Sequence, residues 1–343
     1  MINRDREQKR KTAPYSGDIV NFRRAPLLLL LAGGLAAAAS AWAQYPEKPI
    51  RLIVAWPAGG PTDTIARIMA QKLGDSFGQQ VFVENKPGAA GMIGSAESAR
   101  SPADGYTMSM AVVQDVTRPS FMPKVSFDIA KDLEPVIKVY DLPFIITVNP
   151  QVFQVSSLKD IIEFAKANPG KLQYASPSNG SVGHLSFELI KQLARFEAGH
   201  VPYKGSAPAI NDLLGGQIPM MYGDMVSALP HIKSGRLKAI VVSTATRVPV
   251  LPDVPTVSES GFDGFLGVAW GGLVVPAGTP AATKDRLYRE AAKALSSDDV
   301  RQRIRALGVE PAPVGSPEDF GAFMRSEMVK WSKLIKDSAI QSQ

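Results

Sequence analysis

The chain has 343 residues, of which 45% are hydrophobic and 20% are charged. This length is sufficient for two lobes with separate cores, and the composition excludes a disordered, collagen-like or coiled-coil protein. Residues 1–43 carry seven basic and three acidic residues, a net charge of +4 out of the total of +6. The remainder is nearly neutral, which excludes the basic surface that nucleic-acid binding needs. Because the sequence contains no cysteine, it also excludes disulfides, thiolate metal sites and a cysteine nucleophile.

The first 43 residues show the pattern of an export signal. A pair of arginines precedes a thirteen-residue apolar run at 27–39, and the small residues Ala41 and Ala43 follow it. The run is shorter than the roughly 20 residues that a membrane-spanning helix needs. We therefore predict a secretory signal peptide over residues 1–43, cleaved after Ala43. The alternative, a buried helix of a cytosolic protein, is disfavoured by the paired glycines within the run.

Beyond this segment, predicted strands and helices alternate along the chain. Short apolar runs, typical of buried parallel strands, are followed by turn residues and then by helices with one apolar face. The first unit has a strand at 50–56, a break at 57–61 and a helix that Thr62 and Asp63 can cap. This alternation favours an α/β fold with parallel sheets and helices on both faces. Further strands are expected at 81–83, 106–113, 142–148, 172–175, 217–222, 237–242 and 268–275.

Two loops that connect a strand to a helix are candidate anion-binding sites. The first is 59–63, where a glycine pair lets backbone N–H groups approach a ligand closely. The second is 176–181, a small polar loop that precedes another helix. Each helix adds the positive end of its dipole, so either loop can bind an anion without a basic side chain. The alternative for each loop is a tight turn before a capped helix, with no ligand.

Tyr203 and Asp224 form a third candidate region. Asp224 ends a predicted strand, and ligand-binding groups collect at the carboxyl ends of strands in open α/β sheets. Tyr203 can close over a ligand or fill a core, and the sequence leaves both roles open.

Other chemistry has little support in the sequence. Ser181 and His184 suggest a hydrolase, but the local string is not G-x-S-x-G, and no acid at a suitable spacing orients the histidine. His200 and His231 stand alone, so no metal centre is predicted. The glycines at 88–94 have the wrong spacing for a dinucleotide-binding loop, and no Walker A motif occurs. We therefore expect no catalytic residue, no metal and no cofactor.

Six short sequence strings match those of a known family in their order and spacing. They are WPAGGPTD at 56–63, VENKPGAAG at 83–91, DGYT at 104–107, HVPYKG at 200–205, LLGGQ at 213–217 and LPDVPT at 251–256. Together they cover nearly all of residues 45–335. On these strings the chain resembles the solute receptors of the tripartite tricarboxylate transporters, also called the Bug family. One departure is Ala58, where the family often has proline, which loosens the first loop slightly.

The resemblance implies a fold like that of the type II periplasmic binding proteins. Two lobes, each with a central and mostly parallel sheet flanked by helices, would enclose a ligand cleft. Lobe 1 would comprise residues 46–145 and 270–343, and lobe 2 residues 146–269. One end of a carboxylate ligand would contact Ala58, Gly59, Gly60, Thr62 and Asp63. The opposite lobe would contribute Ser176, Ser178, Asn179, Gly180, Ser181, Tyr203 and Asp224.

The resemblance also implies a periplasmic receptor, not an enzyme, that delivers a small carboxylate to the membrane subunits of a transporter. The alternative is a binding protein that reports its ligand to a membrane-bound sensor kinase, and no short motif separates the two. A third class, a secreted hydrolase that uses Ser181, would require turnover. Di- and tricarboxylates, amino acids and aromatic acids are all compatible with two anion-binding loops. A monomer is the default for this fold.

Overall fold

The computed structural model of the protein describes residues 45–120 and 126–337, and the predicted signal peptide lies outside them. Strands and helices alternate along most of this part of the chain. The strands are β1 (Ile50–Val54), β2 (Val81–Asn85), β3 (Thr107–Val112), β4 (Leu133–Leu142), β5 (Phe144–Val148), β6 (Gln173–Ser176), β7 (Gly199–Pro202), β8 (Met220–Asp224), β9 (Lys238–Val242), β10 (Ala269–Pro276) and β11 (Glu310–Pro311). The helices are α1 (Pro61–Phe77), α2 (Met92–Ala99), α3 (Val113–Thr117), α4 (Ile129–Asp132), α5 (Leu158–Ala167), α6 (Val182–Ala194), α7 (Ser206–Leu214), α8 (Met225–Lys233), α9 (Ala281–Ser296), α10 (Asp298–Ala306) and α11 (Pro317–Asp337). Two short 3-10 helices lie at Ala89–Gly91 and Arg118–Ser120.

The strands form two sheets. Within the described residues, the first sheet has the order β11–β4–β10–β3–β1–β2 and the second the order β7–β6–β8–β5–β9. Helices connect β1 to β2, β6 to β7 and β7 to β8, as parallel pairing requires. The predicted α/β class with two helix-flanked sheets is confirmed.

Each sheet mixes parallel and antiparallel pairs, whereas mostly parallel sheets were expected. β1 pairs in parallel with β2 and β3, and β6 pairs in parallel with β7 and β8. By contrast, β10 is antiparallel to β3 and β4, and β5 is antiparallel to β8 and β9. The antiparallel strands β4, β5 and β10 are those next to the connections between the sheets. Of these, β5 and β10 enter their sheets directly from such a connection, without a preceding crossover helix of the βαβ kind.

The chain crosses between the sheets at Pro143, inside the single strand that was predicted at 142–148. Pro143 has no N–H group for a strand ladder, so it separates the end of β4 from the start of β5. A second crossing precedes β10, which starts at Ala269. The two crossings lie side by side, because Ala269 at the start of β10 pairs with Leu142 at the end of β4.

Helix α1 shows how the predicted apolar faces pack. Ile65, Met69 and Leu73 recur at helical spacing and are completely buried. Full burial of one such side chain stabilises the fold by roughly 1.5–3 kcal/mol. This packing anchors the beginning of α1 rigidly at the end of β1. No helix among the described residues is long and apolar enough to cross a membrane.

Candidate ligand-binding cleft

One cleft lies where the two sheets bring their strand ends together. β1, β3, β6, β7 and β8 end at or near its wall, and β4, β5 and β10 pass it where the chain crosses between the sheets. It encloses about 650 Å³ of empty space, part of it open to solvent. The lining residues are Trp56, Pro57, Ala58, Gly60, Pro61, Thr62, Val112, Gln114, Tyr140, Leu142, Phe144, Pro177, Lys204, Gly205, Ser206, Ala207, Pro208, Asp224, Ala269 and Trp270.

The loop between β1 and α1 presents backbone N–H groups at this cleft. Gly59 adopts a left-handed backbone with φ of 81°, and Gly60 precedes α1 without a side chain that could cap it. Pro61 has no N–H, and the N–H groups of Thr62 and Asp63 have no acceptor among the described residues. Two N–H groups and the positive end of a 17-residue helix are therefore available to an anion.

The side chain of Asp63 stabilises the backbone of this loop through hydrogen bonds. Its carboxylate is 3% exposed. It accepts hydrogen bonds from Gly59 N–H and from Asn85 Nδ2, both at 2.9 Å, and it pairs with Arg67 at 2.9 Å. Burial is the largest influence on the pKa of Asp63 and raises it, but the hydrogen bonds from Arg67, Gly59 and Asn85 outweigh burial and keep the pKa below its usual value. Of the predicted residues in this region, Ala58, Gly60 and Thr62 line the cleft, and Gly59 and Asp63 do not.

The beginning of α7 lines the opposite wall. Gly205 precedes this helix with φ of 109° and has no side chain to cap it. The N–H groups of Ser206 and Ala207 have no acceptor among the described residues, and Pro208 has no N–H. A Cβ atom on Gly205 would lie 3.6 Å from Pro57 Cγ, so the two helix starts belong to neighbouring loops. The cleft therefore places two uncapped helix N-termini close together.

Asp224 and Tyr203 differ in their relation to the cleft. Asp224 is buried and lines it, and its carboxylate caps α8 by accepting the Ser227 N–H at 2.9 Å. It also accepts the hydroxyl of Ser206, and burial raises the pKa of Asp224. Tyr203 does not line the cleft, and its hydroxyl donates to Asp212 at 2.8 Å. Tyr203 N–H bonds to Ser176 O at 3.0 Å, so the residue connects two loops of the second sheet.

The loop from Ser176 to Ser181 uses most of its polar groups within the protein. Ser181 Oγ caps α6 by accepting the His184 N–H at 3.3 Å, and Gly180 N–H donates to His184 Nδ1 at 3.1 Å. Asn179 is exposed, and Ser178 Oγ is buried without a hydrogen-bond partner in the described part of the chain. Only Pro177 of this loop lines the cleft. Ser181 Oγ accepts the backbone N–H of His184 and has no hydrogen bond with the ring of that histidine, so Ser181 and His184 are not paired as in a hydrolase.

His184 and His200 are stacked, with ring centroids 3.9 Å apart. The expectation that His200 stands alone is therefore wrong, because β6 and β7 pair in parallel and bring it beside the start of α6. Ser176 Oγ donates to Ser178 O, so the His200 Nε2–H donates to Ser176 Oγ at 2.7 Å. Burial lowers the pKa of His184 to about 4 and that of His200 to about 3. Among the described residues, no group of three or more potential metal ligands occurs.

The aromatic wall of the cleft was not predicted. Trp56, Tyr140, Phe144 and Trp270 line it, and Trp270 Nε1 donates to the buried Glu327 at 3.1 Å. All four lie at or near the end of a strand. That position predicted a ligand-binding role for Asp224 alone. The sequence also contained a signal for the start of α7. Gly205 directly precedes this helix, and a glycine in that position leaves the first N–H groups uncapped.

Comparisons with known proteins agree with this architecture. The sequence profile of the family described as tripartite tricarboxylate transporter family receptor matches residues 65–340. A structure of the periplasmic binding protein BugD is 34% identical, with a TM-score of 0.82 over 87% of this chain and 100% of that one. R. palustris Rpa4515, solved with adipate, is 33% identical, with a TM-score of 0.83 over 87% and 99% of the two chains. MatC from Rhodopseudomonas palustris, solved with bound malate, is 29% identical, with a TM-score of 0.78 over 85% and 100%. The chain therefore belongs to the receptor family of the tripartite tricarboxylate transporters and has the fold of a periplasmic binding protein.

Proposed function

We propose that this protein captures a small carboxylate in the cleft and delivers it to the membrane subunits of a tripartite tricarboxylate-type transporter. The observation that supports this most is the pair of uncapped helix N-termini, those of α1 and α7, at one cleft. Backbone N–H groups that bind a carboxylate form charge-assisted hydrogen bonds, each contributing roughly 1.5–3 kcal/mol. Adipate and malate, the ligands of Rpa4515 and MatC, are both dicarboxylates.

A thermal-shift screen with carboxylates and their matched amides tests this proposal. A ligand that binds only the folded protein raises stability by about 2.7 kcal/mol at a hundredfold excess over its dissociation constant. We expect a saturable shift with at least one carboxylate and none with its amide, because the amide has no negative charge for the helix N-termini. Equal shifts with acid and amide, or no shift with any carboxylate, would contradict the proposal. The ligand should also be recovered unchanged, since the proposed role is binding without turnover.

The proposed capture involves two lobes that close over the ligand. We assign residues 46–145 and 270–343 to lobe 1 and residues 146–269 to lobe 2. The sheets support this division in outline, because the strands from β5 to β9 share one sheet and the others share the second. They favour slightly different bounds, at Pro143 and just before Ala269, since β5 starts at Phe144 and β10 at Ala269. Small-angle scattering should detect a smaller radius of gyration when ligand is added to the monomer. An unchanged radius at saturating ligand would contradict closure.

The proposed site of action is the periplasm, reached through a signal peptide cleaved after Ala43. Cell fractionation should recover the protein in the periplasmic fraction, with Gln44 as its first residue by mass spectrometry. Membership of a transport-receptor family favours delivery to a transporter over signalling to a sensor kinase. Deletion of the gene should therefore abolish uptake of the ligand, and loss of a transcriptional response without loss of uptake would support the sensory alternative.

A further inference from the structure

Trp270 joins the wall of the cleft to the C-terminal helix α11. It is the second residue of β10, directly after the crossing from the second sheet, and it lines the cleft. The rings of Phe320 and Phe323 in α11 pack edge-on against its indole, with ring centroids 5.7 and 5.4 Å away. An added Cβ at Gly272 would overlap the Phe320 ring, so this glycine allows α11 to approach β10 closely.

Glu327 of the same helix forms a hydrogen bond with the Trp270 indole. The residue is 6% exposed, and its Oε2 accepts the Trp270 Nε1–H at 3.1 Å and the Trp331 Nε1–H at 2.8 Å. The other oxygen, Oε1, accepts a hydrogen bond from Lys330 Nζ at 3.1 Å. Burial of a carboxylate is unfavourable unless it is hydrogen-bonded, and these three donors satisfy that requirement.

The two indoles that share Glu327 Oε2 differ in what else they contact. Trp270 lines the cleft, whereas Trp331 is buried in α11 and does not line it. The bond to Trp331 connects residues four apart in one helix, and the bond to Trp270 connects residues 57 apart, in α11 and β10. Glu327 therefore has one partner at the ligand site and one partner that serves the helix alone.

The bond to Glu327 determines the orientation of the Trp270 ring more narrowly than aromatic packing does. Edge-to-face contacts occur over a broad range of centroid distances, and the χ2 torsion of tryptophan is soft. An N–H···O bond, in contrast, weakens steeply as it departs from linearity. An indole that is fixed before the ligand arrives does not have to be ordered on binding, so the entropy of ordering it does not oppose association.

We propose that Glu327 is a positioning residue of the ligand site, which holds the Trp270 indole in the orientation that the ligand contacts. The C-terminal helix is then part of the binding machinery, although no described residue of α11 lines the cleft itself. This inference rests on the proposed function, since the ligand is the carboxylate proposed for the same cleft.

Calorimetric titration in the Trp331→Phe background tests this role, with adipate, malate, succinate and benzoate as probes. Trp331→Phe alone should leave affinity unchanged, and it ensures that Glu327→Met leaves one indole N–H unpaired instead of two. In this background Glu327→Met should weaken binding by about tenfold, because the freed indole must then be ordered by the ligand. Glu327→Gln keeps an oxygen that can accept the indole N–H, so it should retain most of the affinity.

A double-mutant cycle with Trp270→Phe separates positioning from stability. The phenylalanine ring has no N–H for residue 327 to hold, so adding Glu327→Met should then change affinity by less than about twofold. Unchanged affinity in Glu327→Met, or the same loss with and without the Trp270 N–H, would overturn this inference and leave the proposed function intact. If the unmodified protein bound none of the four probes and nothing in the wider carboxylate panel, the proposed function would be refuted and this inference with it.

Hydrogen exchange of the Trp270 Nε1–H, followed by NMR, gives a second test on the unmodified protein. If Glu327 fixes the indole in advance, this N–H should exchange slowly before any probe is added, and a bound probe should change the rate little. An N–H that exchanges rapidly and becomes protected only when the probe binds would overturn the inference, because the ligand and not Glu327 would then order the ring.

Discussion

The sequence predicts anion binding at two strand–loop–helix segments, around 59–63 and 176–181. Their helices begin in different ways. Helix α1 begins after Gly60, which has no side chain, and the N–H groups of Thr62 and Asp63 remain without acceptors. Helix α6 begins after Ser181, whose hydroxyl oxygen accepts the His184 N–H. The first segment lines the cleft with several residues, whereas the second lines it with Pro177 alone.

The residue before a helix decides whether the N-terminus is available to a ligand. A serine in this position satisfies one of the orphan N–H groups internally, and a glycine leaves them open. Gly205 before α7 follows the same rule as Gly60, and that helix also starts at the cleft. The strand–loop–helix order locates a potential anion site, and the capping residue indicates whether it is free.

The largest expected effect comes from Asp63→Ala, which would disrupt the first loop. The substitution leaves Gly59 N–H and Asn85 Nδ2 without their acceptor and breaks the pair with Arg67. The free energy of unfolding should fall by about 3 kcal/mol. Ligand affinity should fall as well, because Gly59 loses the contact that fixes its left-handed backbone. Urea unfolding and calorimetric titration measure the two effects.

Asp160→Ala is the matched control for this change. Asp160 also accepts backbone N–H groups at the start of a helix, in α5, but it does not line the cleft. Its loss should lower stability by less than the loss of Asp63 and leave affinity unchanged. If Asp63→Ala lowered stability but not affinity, the role assigned to Asp63 in shaping the ligand loop would be refuted.

A second prediction concerns the acid sensitivity of the second segment, where His184 is buried. The pKa of His184 is lowered by burial to about 4 in the folded protein, against 6.5 for the free side chain. Between these values the unfolded chain binds a proton that the folded protein does not. Stability is therefore complete above about pH 6.5 and is lost as the pH falls towards 4. From about pH 7 to about pH 5 the contribution of His184 amounts to about 2 kcal/mol.

His184→Asn isolates this contribution, because the asparagine oxygen can still accept the Gly180 N–H. The variant should lose about 2 kcal/mol less than the unmodified protein when the pH falls from about 7 to about 5. His231→Gln is the comparison variant: burial and Arg236 lower the pKa of His231 as well, but this residue at the end of α8 is less buried than His184, so its effect on the pH dependence should be smaller. An identical pH dependence in the His184→Asn variant and the unmodified protein would mean that His184 takes up its proton in the folded state.

The order of the elements along the chain was sufficient to predict the α/β class and the edge at which the site lies. Alternating apolar runs and amphipathic helices determine both, because parallel strands joined by helices align their carboxyl ends. The aromatic wall could not be predicted in this way. Tyr140 lies opposite Gly271, and the missing side chain of Gly271 leaves room for the tyrosine ring. That register joins strands more than 120 residues apart and depends on tertiary packing.

The antiparallel strand β4 was also not predicted, because its own sequence lacks a continuous apolar pattern. Pro135 interrupts its beginning, and charged residues at 134, 138 and 141 interrupt its apolar pattern. The strand nevertheless forms, because Val136, Ile137 and Val139 are fully buried beside β10. Burial against a neighbouring strand outweighs a weak local preference.

Ser181→Ala tests the capping role in the second segment with a smaller effect. Removal of the hydroxyl leaves the His184 N–H without its acceptor, which should cost about 1 kcal/mol of unfolding free energy. If Ser181 only caps α6, ligand affinity stays unchanged. A tenfold or greater loss of affinity with normal stability would instead show that the hydroxyl contacts the ligand, as the family resemblance implies.

Gly60→Ser should cause the smallest change in stability. It gives α1 the same kind of cap as α6 and so tests directly whether capping makes the two segments different. Gly60 has an extended backbone with φ of −78°, and a Cβ atom would approach Pro57 O no closer than 3.5 Å, so serine fits without strain. The new hydroxyl can accept the Asp63 N–H and should stabilise the protein by a few tenths of a kcal/mol, the usual difference between serine and glycine caps. It would then compete with the ligand for that N–H group, so affinity should fall by about tenfold while stability rises slightly.

Gly278→Ser is the contrasting control. An added Cβ at Gly278 has no neighbour within 4 Å, but the residue has φ of +85°, so the change should lower stability and leave affinity unchanged. A Gly60→Ser protein that binds carboxylates as tightly as before would mean that the free N–H groups of α1 contribute nothing to binding, and the distinction between the two segments would no longer explain where the ligand goes.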